Sequence, residues 1–238
     1  MIGYYLRMAA FGMVTAYYSL KSVFVMSLGL PHKMFYKGIR QWARKYLRLY
    51  GIRQKVIGLE NARPGQGYIL VANHASEFDI PLLIDTFSDF DVKFIYKKEL
   101  EKVPVFGWGM RKSPFIAVDR EDPRNAMSSI DEALASMRRD DACVIVFPEG
   151  TRSLTGEMQP FKRGAFMLAA RGGRELLPVA IRGSFGIKDK KNRRINRSSV
   201  HIIISPPVAP PAEPDSRSEK QLMAEIRGTM EASLSATA

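Results

Sequence analysis

A chain of 238 residues, 46% of them hydrophobic, can bury one good core and leaves little for a second. Its net charge of +12 would raise nucleic-acid binding, but the first 60 residues hold ten Lys/Arg against one acid, whereas the remaining 178 carry 26 bases and 23 acids. The asymmetry therefore belongs to an N-terminal docking appendage, while one cysteine and three histidines exclude an internal disulfide and a histidine-built zinc site.

From Ile2 to Leu30 the chain is apolar apart from Arg7 and Lys21, and its longest uncharged stretch, Met8 to Leu20, has 13 residues. That falls short of the ~20 needed to span a bilayer. A signal peptide would need a small-residue cleavage site where Pro31-His32-Lys33 stands, so the segment is expected to stay attached. Next, Phe35, Ile39, Trp42, Tyr46 and Leu49 recur at helical spacing, with Lys33, Lys37, Arg40, Arg44 and Arg48 on another face and no acid among them. The pattern fits a helix in a membrane interface, with Phe35, Ile39, Trp42 and Tyr46 at headgroup depth and each base contributing on the order of 1 kcal/mol over anionic lipid. An ordinary surface helix packed on the domain is the plainer alternative. Residues 1–54 are thus expected to be two membrane-associating helices, and residues 55–238 the catalytic domain. The one cysteine, Cys143, lies in an apolar run without a disulfide partner, which fits a cytoplasmic membrane face.

Beyond residue 54, short β-branched or apolar runs alternate with longer mixed segments. Strands are expected at residues 55–59, 68–72, 92–96, 115–118, 143–147, 177–181 and 200–205, and helices near 81–86, 123–138, 163–171 and 219–234. That order predicts an α/β fold, a single mixed sheet with helices on both faces. The stretch 206–214 is proline-rich and reads as an extended connector.

The chemistry starts after the second strand, at Asn73-His74-Ala75-Ser76-Glu77-Phe78-Asp79. Five residues apart, His74 and Asp79 would sit ~140° apart on a straight helix, so they meet only if the chain turns. An imidazole that takes a proton from an alcohol needs a fixed tautomer, and a carboxylate on its other nitrogen supplies it. A helix-capping histidine is the plainer alternative for this pair alone. Phe147-Pro148-Glu149-Gly150-Thr151-Arg152-Ser153 likewise follows a buried strand; Gly150 permits close backbone approach and Arg152 offers a planar fork for phosphate. A plain turn with a surface arginine is the alternative there.

Over about residues 55–210 the chain resembles the glycerolipid acyltransferases that include 1-acylglycerol-3-phosphate acyltransferases. The resemblance rests on four ordered motifs: Asn73, His74 and Asp79; Lys93 to Leu100 with Gly107 and Phe115 to Arg120; Phe147 to Ser153; and Leu177-Pro178-Val179-Ala180-Ile181. It implies transfer of an acyl chain from acyl-coenzyme A or acyl carrier protein to the sn-2 hydroxyl of 1-acylglycerol-3-phosphate, with His74 as base and Asp79 orienting it, without an acyl-enzyme or a cofactor. It places the acceptor's phosphate near Arg120, Glu149, Gly150, Thr151 and Arg152. Glu149 would then bond a glycerol hydroxyl or hold Arg152. Lys93 and Lys97 share one face of their strand and would contact the phosphate or the donor, or stand as solvated lysines.

Two features depart from the family pattern. Glu77 puts an acid inside the first motif, where it could change acceptor preference, and the basic run 188–197 has no counterpart. The expected partners are a membrane surface, a lysophospholipid and the thioester donor, with no nucleic acid. Two rivals stand beside this reading: another lyso-lipid as acceptor, such as lyso-ornithine lipid or lysophosphatidylglycerol, and a non-enzymatic basic adaptor, which would leave the His74–Asp79 pair without a purpose.

Overall fold

Seven apolar runs need partners for their backbone groups, and they find them in one another. The computed structural model describes residues 2–118, 123–189, 194–196, 199–211, 213 and 215–236. Helices α1 (Ile2–Ser27) and α2 (His32–Tyr50) come first. The sheet is built from β1 (Arg53–Ile57), β2 (Ile69–Ala72), β3 (Val92–Lys97), β4 (Ile116–Val118), β5 (Cys143–Val146), β6 (Leu176–Arg182) and β9 (Ser199–Ile204), in the order β1-β9-β6-β2-β5-β3-β4. Every pairing is parallel except β6 with β9, so the sheet is mixed, as expected. A short antiparallel pair, β7 (Lys188–Asp189) with β8 (Arg194–Ile195), falls within the basic run 188–197.

Alternation along the strands fills both faces. Leu70 and Ala72 of β2, with Cys143 and Ile145 of β5, pack toward α2 and α3 (Asp79–Thr86). Ile69, Val71, Val144 and Val146 pack toward α5 (Pro123–Arg139), α6 (Gly164–Gly172) and α7 (Ser216–Ser235). Strands buried on both sides read as continuous apolar runs, which is why 68–72 and 143–147 stood out in the sequence. Each fully buried Leu, Ile or Val contributes about 1.5–3 kcal/mol of transfer free energy.

The N-terminal helices behave differently from the expectation. At 26 residues α1 is about 39 Å long, and residues Gly3–Ser27 are long and apolar enough to cross a membrane by length and composition. The expectation that this segment is too short counted only uncharged residues, whereas the helix runs through Arg7 and Lys21. One side of α1 packs on α2 and on α4 (Phe106–Lys112), while Tyr5, Leu6, Met13, Tyr17, Leu20 and Phe24 remain exposed on the other. The approach to α4 depends on Gly109, where an added Cβ would lie 3.0 Å from Ser19 Cα.

The face of α2 read as lying in the membrane interface is turned inward. Phe35 and Tyr46 are buried, Ile39 and Trp42 are half-buried against the same core, and Tyr46 stacks on Phe78 at 5.0 Å. An apolar stripe is covered as well by protein as by lipid, and periodicity alone does not distinguish the two. Part of the basic face is also tied down: Arg40 donates to Asp91 at 2.7 Å and Arg44 to Asp85 at 2.8 Å. The division at residue 54 therefore crosses no gap in packing, since α2 shares its core with the sheet.

Candidate active site

Parallel neighbours release their loops at the same end, and that fact assembles the site. β2 lies between β6 and β5, and β5 is followed by β3, all parallel. The loops after β2 and β5 therefore meet, although they are 75 residues apart in sequence; strand C-terminal ends are where α/β sheets form ligand crevices.

Asn73 is the first tie. Buried, it donates to Ile181 O at 3.0 Å and accepts from Ile181 N at 2.7 Å, extending the pairing of β2 with β6 by a side chain. Asn73→Asp, nearly isosteric, loses the donor and faces a carbonyl; it is expected to cost about 2–4 kcal/mol of stability, read as a lowered thermal midpoint.

From that anchored point the chain turns so that Asp79 opens α3 beneath His74. Asp79 is fully buried, and its Oδ2 accepts from His74 Nδ1, Ala75 N and Ser76 N, each at 2.8 Å. The turn that straight-helix geometry forbids is thus held by the carboxylate itself. With Nδ1 bonded to the acid, the network assigns the proton there and leaves Nε2 as the basic nitrogen. Phe147 stacks on the imidazole at 4.0 Å between centroids and 16° between planes, fixing the ring from its face. Sequence reading quoted Phe147 only as part of a motif.

The loop after β5 is clasped to the histidine loop. His74 N donates to Glu149 Oε1 at 2.7 Å, Gln159 N donates to Glu149 Oε2 at 2.9 Å, and Ser153 N donates to His74 O at 2.7 Å. Burial pushes the Glu149 carboxyl above the ordinary carboxylate range, opposed by those two amides. Gly150 sits at φ +75°, and an added Cβ would meet Lys162 Nζ at 2.9 Å. Arg152 Nη1 lies 3.4 Å from Glu77 Oε2, and Lys188 Nζ lies 2.7 Å from Glu77 Oε1.

These groups edge a cavity of about 620 Å³, within the usual range of small-molecule sites, about 300–1,000 Å³. His74, Glu77, Lys97, Thr151, Arg152 and Lys188 supply its polar lining. Phe11, Tyr18, Phe35, Ile39, Phe106 and Phe115 supply apolar walls from α1, α2, α4 and the segment just before β4. The cavity therefore joins a charged mouth to a greasy interior.

Of the residues singled out in sequence, His74, Asp79, Gly150, Thr151 and Arg152 come together here, and Lys97 reaches the lining. Glu149 is not among the residues lining the cavity: its two oxygens accept the backbone amides of His74 and Gln159, and among the described residues no hydrogen bond joins it to Arg152. Lys93 is also corrected. It is buried beneath α5, donating to Ser136 Oγ at 2.9 Å and Asp140 at 2.8 Å. Alternation put Lys93 and Lys97 on one face, but they lie about 13 Å apart along the strand, and the cavity is lined by Phe94 to Lys97 and not by Lys93. Arg120 lies outside the described residues. Among the described residues no cluster of His, Cys, Asp and Glu is arranged to hold a metal.

A profile of the family described as Acyltransferase matches residues 53–182. The 1-acyl-sn-glycerol-3-phosphate acyltransferase of Saccharomyces cerevisiae is 31% identical over 212 residues, covering 87% of this chain and 69% of that protein. The 1-acyl-sn-glycerol-3-phosphate acyltransferase alpha of Homo sapiens is 34% identical over 160 residues, covering 67% of this chain and 56% of that protein. Thus the chain spans little more than half the length of the human relative. The crystal structure of the 1-acyl-sn-glycerophosphate (LPA) acyltransferase PlsC from Thermotoga maritima superposes with a TM-score of 0.77 at 26% identity, covering 100% of this chain and 96% of that one.

Proposed function

Because this chain belongs to the 1-acyl-sn-glycerol-3-phosphate acyltransferase family, we propose that it moves an acyl chain from a thioester to the sn-2 hydroxyl of 1-acylglycerol-3-phosphate, forming phosphatidic acid. The observation that carries this reading is an imidazole fixed by a buried carboxylate at 2.8 Å, at the charged mouth of a cavity with apolar walls.

In this reading His74 Nε2 takes the acceptor's hydroxyl proton as the oxygen attacks the thioester carbonyl. The tetrahedral intermediate collapses, the C–S bond breaks, and the thiolate leaves and recovers the proton. Asp79 stabilises the imidazolium in between, help of a kind that contributes about 10² to 10⁴ in rate. No acyl-enzyme is invoked: there is no Gly-x-Ser-x-Gly elbow in the sequence. The lone thiol, Cys143, is buried, and burial pushes it up to about 11, so it stays protonated. The apolar walls take acyl chain, while Thr151 and Arg152, with Gly150 giving backbone access, receive the acceptor's phosphate. Glu149 serves that loop from behind.

The exposed side of α1 supplies the membrane contact, and the basic N-terminal residues favour the anionic cytoplasmic leaflet. Residues 1–54 thereby act as the docking part while also walling the cavity, and residues 55–238 carry the His74–Asp79 pair and the phosphate loop.

The test is thiol release in detergent micelles from oleoyl-coenzyme A, and from the same chain on acyl carrier protein, with lysophosphatidic acid. Release that depends on the acceptor is expected; no release with either donor across a panel of lyso-lipids would overturn the proposal. Arg152→Ala should raise KM for lysophosphatidic acid about 10- to 100-fold, the worth of a lost charge-assisted bond. It should leave the KM of a lyso-lipid without a phosphate monoester little changed.

A further inference from the structure

Most of the basic run 188–197 carries no family motif, yet its first residue reaches the cavity. Lys188 opens β7 after the C-terminal end of β6, on the opposite side of β2 from Arg152. Glu77 lies between them, its Oε1 2.7 Å from Lys188 Nζ and its Oε2 3.4 Å from Arg152 Nη1. All three line the cavity mouth. The lysine is the more enclosed cation, its side chain 19% exposed against 48% for Arg152.

We propose that Lys188 is a second phosphate-binding residue for the acceptor, working with Arg152 and kept at the mouth by Glu77; this deepens the function proposed above and rests on it. A phosphate monoester brings nearly two negative charges and three terminal oxygens. A planar guanidinium engages two of those oxygens, and a compact ammonium on the other side suits the third. Two cations alone would repel and splay. One carboxylate between them removes that repulsion and holds a flexible lysine where the phosphate arrives, so less freedom is lost on binding. This gives Glu77, an acid at a phosphate site, a purpose that repulsion alone would deny it.

The shared chemistry, a phosphate, could also come from the coenzyme A donor, so both substrates are varied. Full-length wild type, Lys188→Ala and Lys188→Arg are assayed with lysophosphatidic acid and oleoyl-coenzyme A in micelles, alongside thermal unfolding. In Lys188→Ala the acceptor KM should rise about 10-fold or more, with kcat within about 3-fold and donor KM within about 2-fold. Lys188→Arg, which keeps the charge, should recover most of the loss. Acceptor KM unchanged, a rise confined to donor KM, or a matching fall in kcat and unfolding midpoint would each overturn the assignment. If Lys188→Ala does not fold, Lys188→Gln carries the same measurement. A wild type that transfers to no phosphate-bearing acceptor would instead sink the underlying reading, and the wild-type assay separates the two failures.

Discussion

Replacing His74 with alanine is expected to cut acceptor-dependent thiol release by about 10² to 10⁴-fold with the fold intact. The side chain is 15% exposed at a cavity wall, so its loss relaxes into space already present and costs little stability. Asp79→Asn is the finer test. Its amide oxygen, turned toward the histidine loop, could still accept the three bonds now made to Oδ2. Its NH₂ would then occupy the place of Oδ1, which is buried and has no hydrogen-bond partner among the described residues. Geometry largely survives while the charge that stabilises the imidazolium is lost, so kcat should fall about 10²-fold or more with both KM values near wild type. Steady-state kinetics with thermal unfolding decide it. Activity within a few-fold of wild type in both variants, at unchanged stability, would remove His74 as the base.

Glu149→Ala should destabilise the protein by about 2–6 kcal/mol, because the part-buried amides of His74 and Gln159 each lose their acceptor at about 1–3 kcal/mol apiece. Glu149→Gln keeps one oxygen as an acceptor and should lose about half as much. Activity should fall with the alanine even where the protein stays folded, since the amide clasped is that of His74 itself. The direction with pH is also fixed. Burial raises this carboxyl above its ordinary value of 4.5, so the folded state holds its proton more tightly than the unfolded one. The group's contribution to stability is therefore greatest in acid and shrinks as pH rises from 4.5 through the raised value. Urea titrations of wild type and Glu149→Gln across that interval should converge on the alkaline side as far as this term is concerned. A stable, active Glu149→Ala would show that the clasp is dispensable and return Glu149 to the phosphate site.

Much of this site is legible without coordinates. His74, Asp79 and the Gly150 to Arg152 loop are short-range patterns, each directly after an apolar strand, and a strand buried on both faces advertises itself in any window. The roles of Asn73, Phe147 and Glu149 are not legible, because their partners lie 108, 73 and 75 residues away. Lys188 gave no signal beyond its place in a basic run. Helix α4 escaped notice as well, since seven residues with two glycines carry no helical periodicity.

What the chain determines alone is whatever neighbouring residues impose on one another: the short apolar runs that become seven strands, the helical stripe of α2, and the residue types that general-base chemistry requires. What covers that stripe, which strand ends adjoin, and which lysine reaches the cavity were decided only by tertiary structure. Apolar surface is satisfied by protein or lipid alike, and a face of a strand does not specify which end of it meets a ligand. Packing on the core covers the stripe, and parallel pairing of β6, β2, β5 and β3 settles the other two by bringing their loops to one end, because the sheet's hydrogen bonds join strands irrespective of the sequence between them.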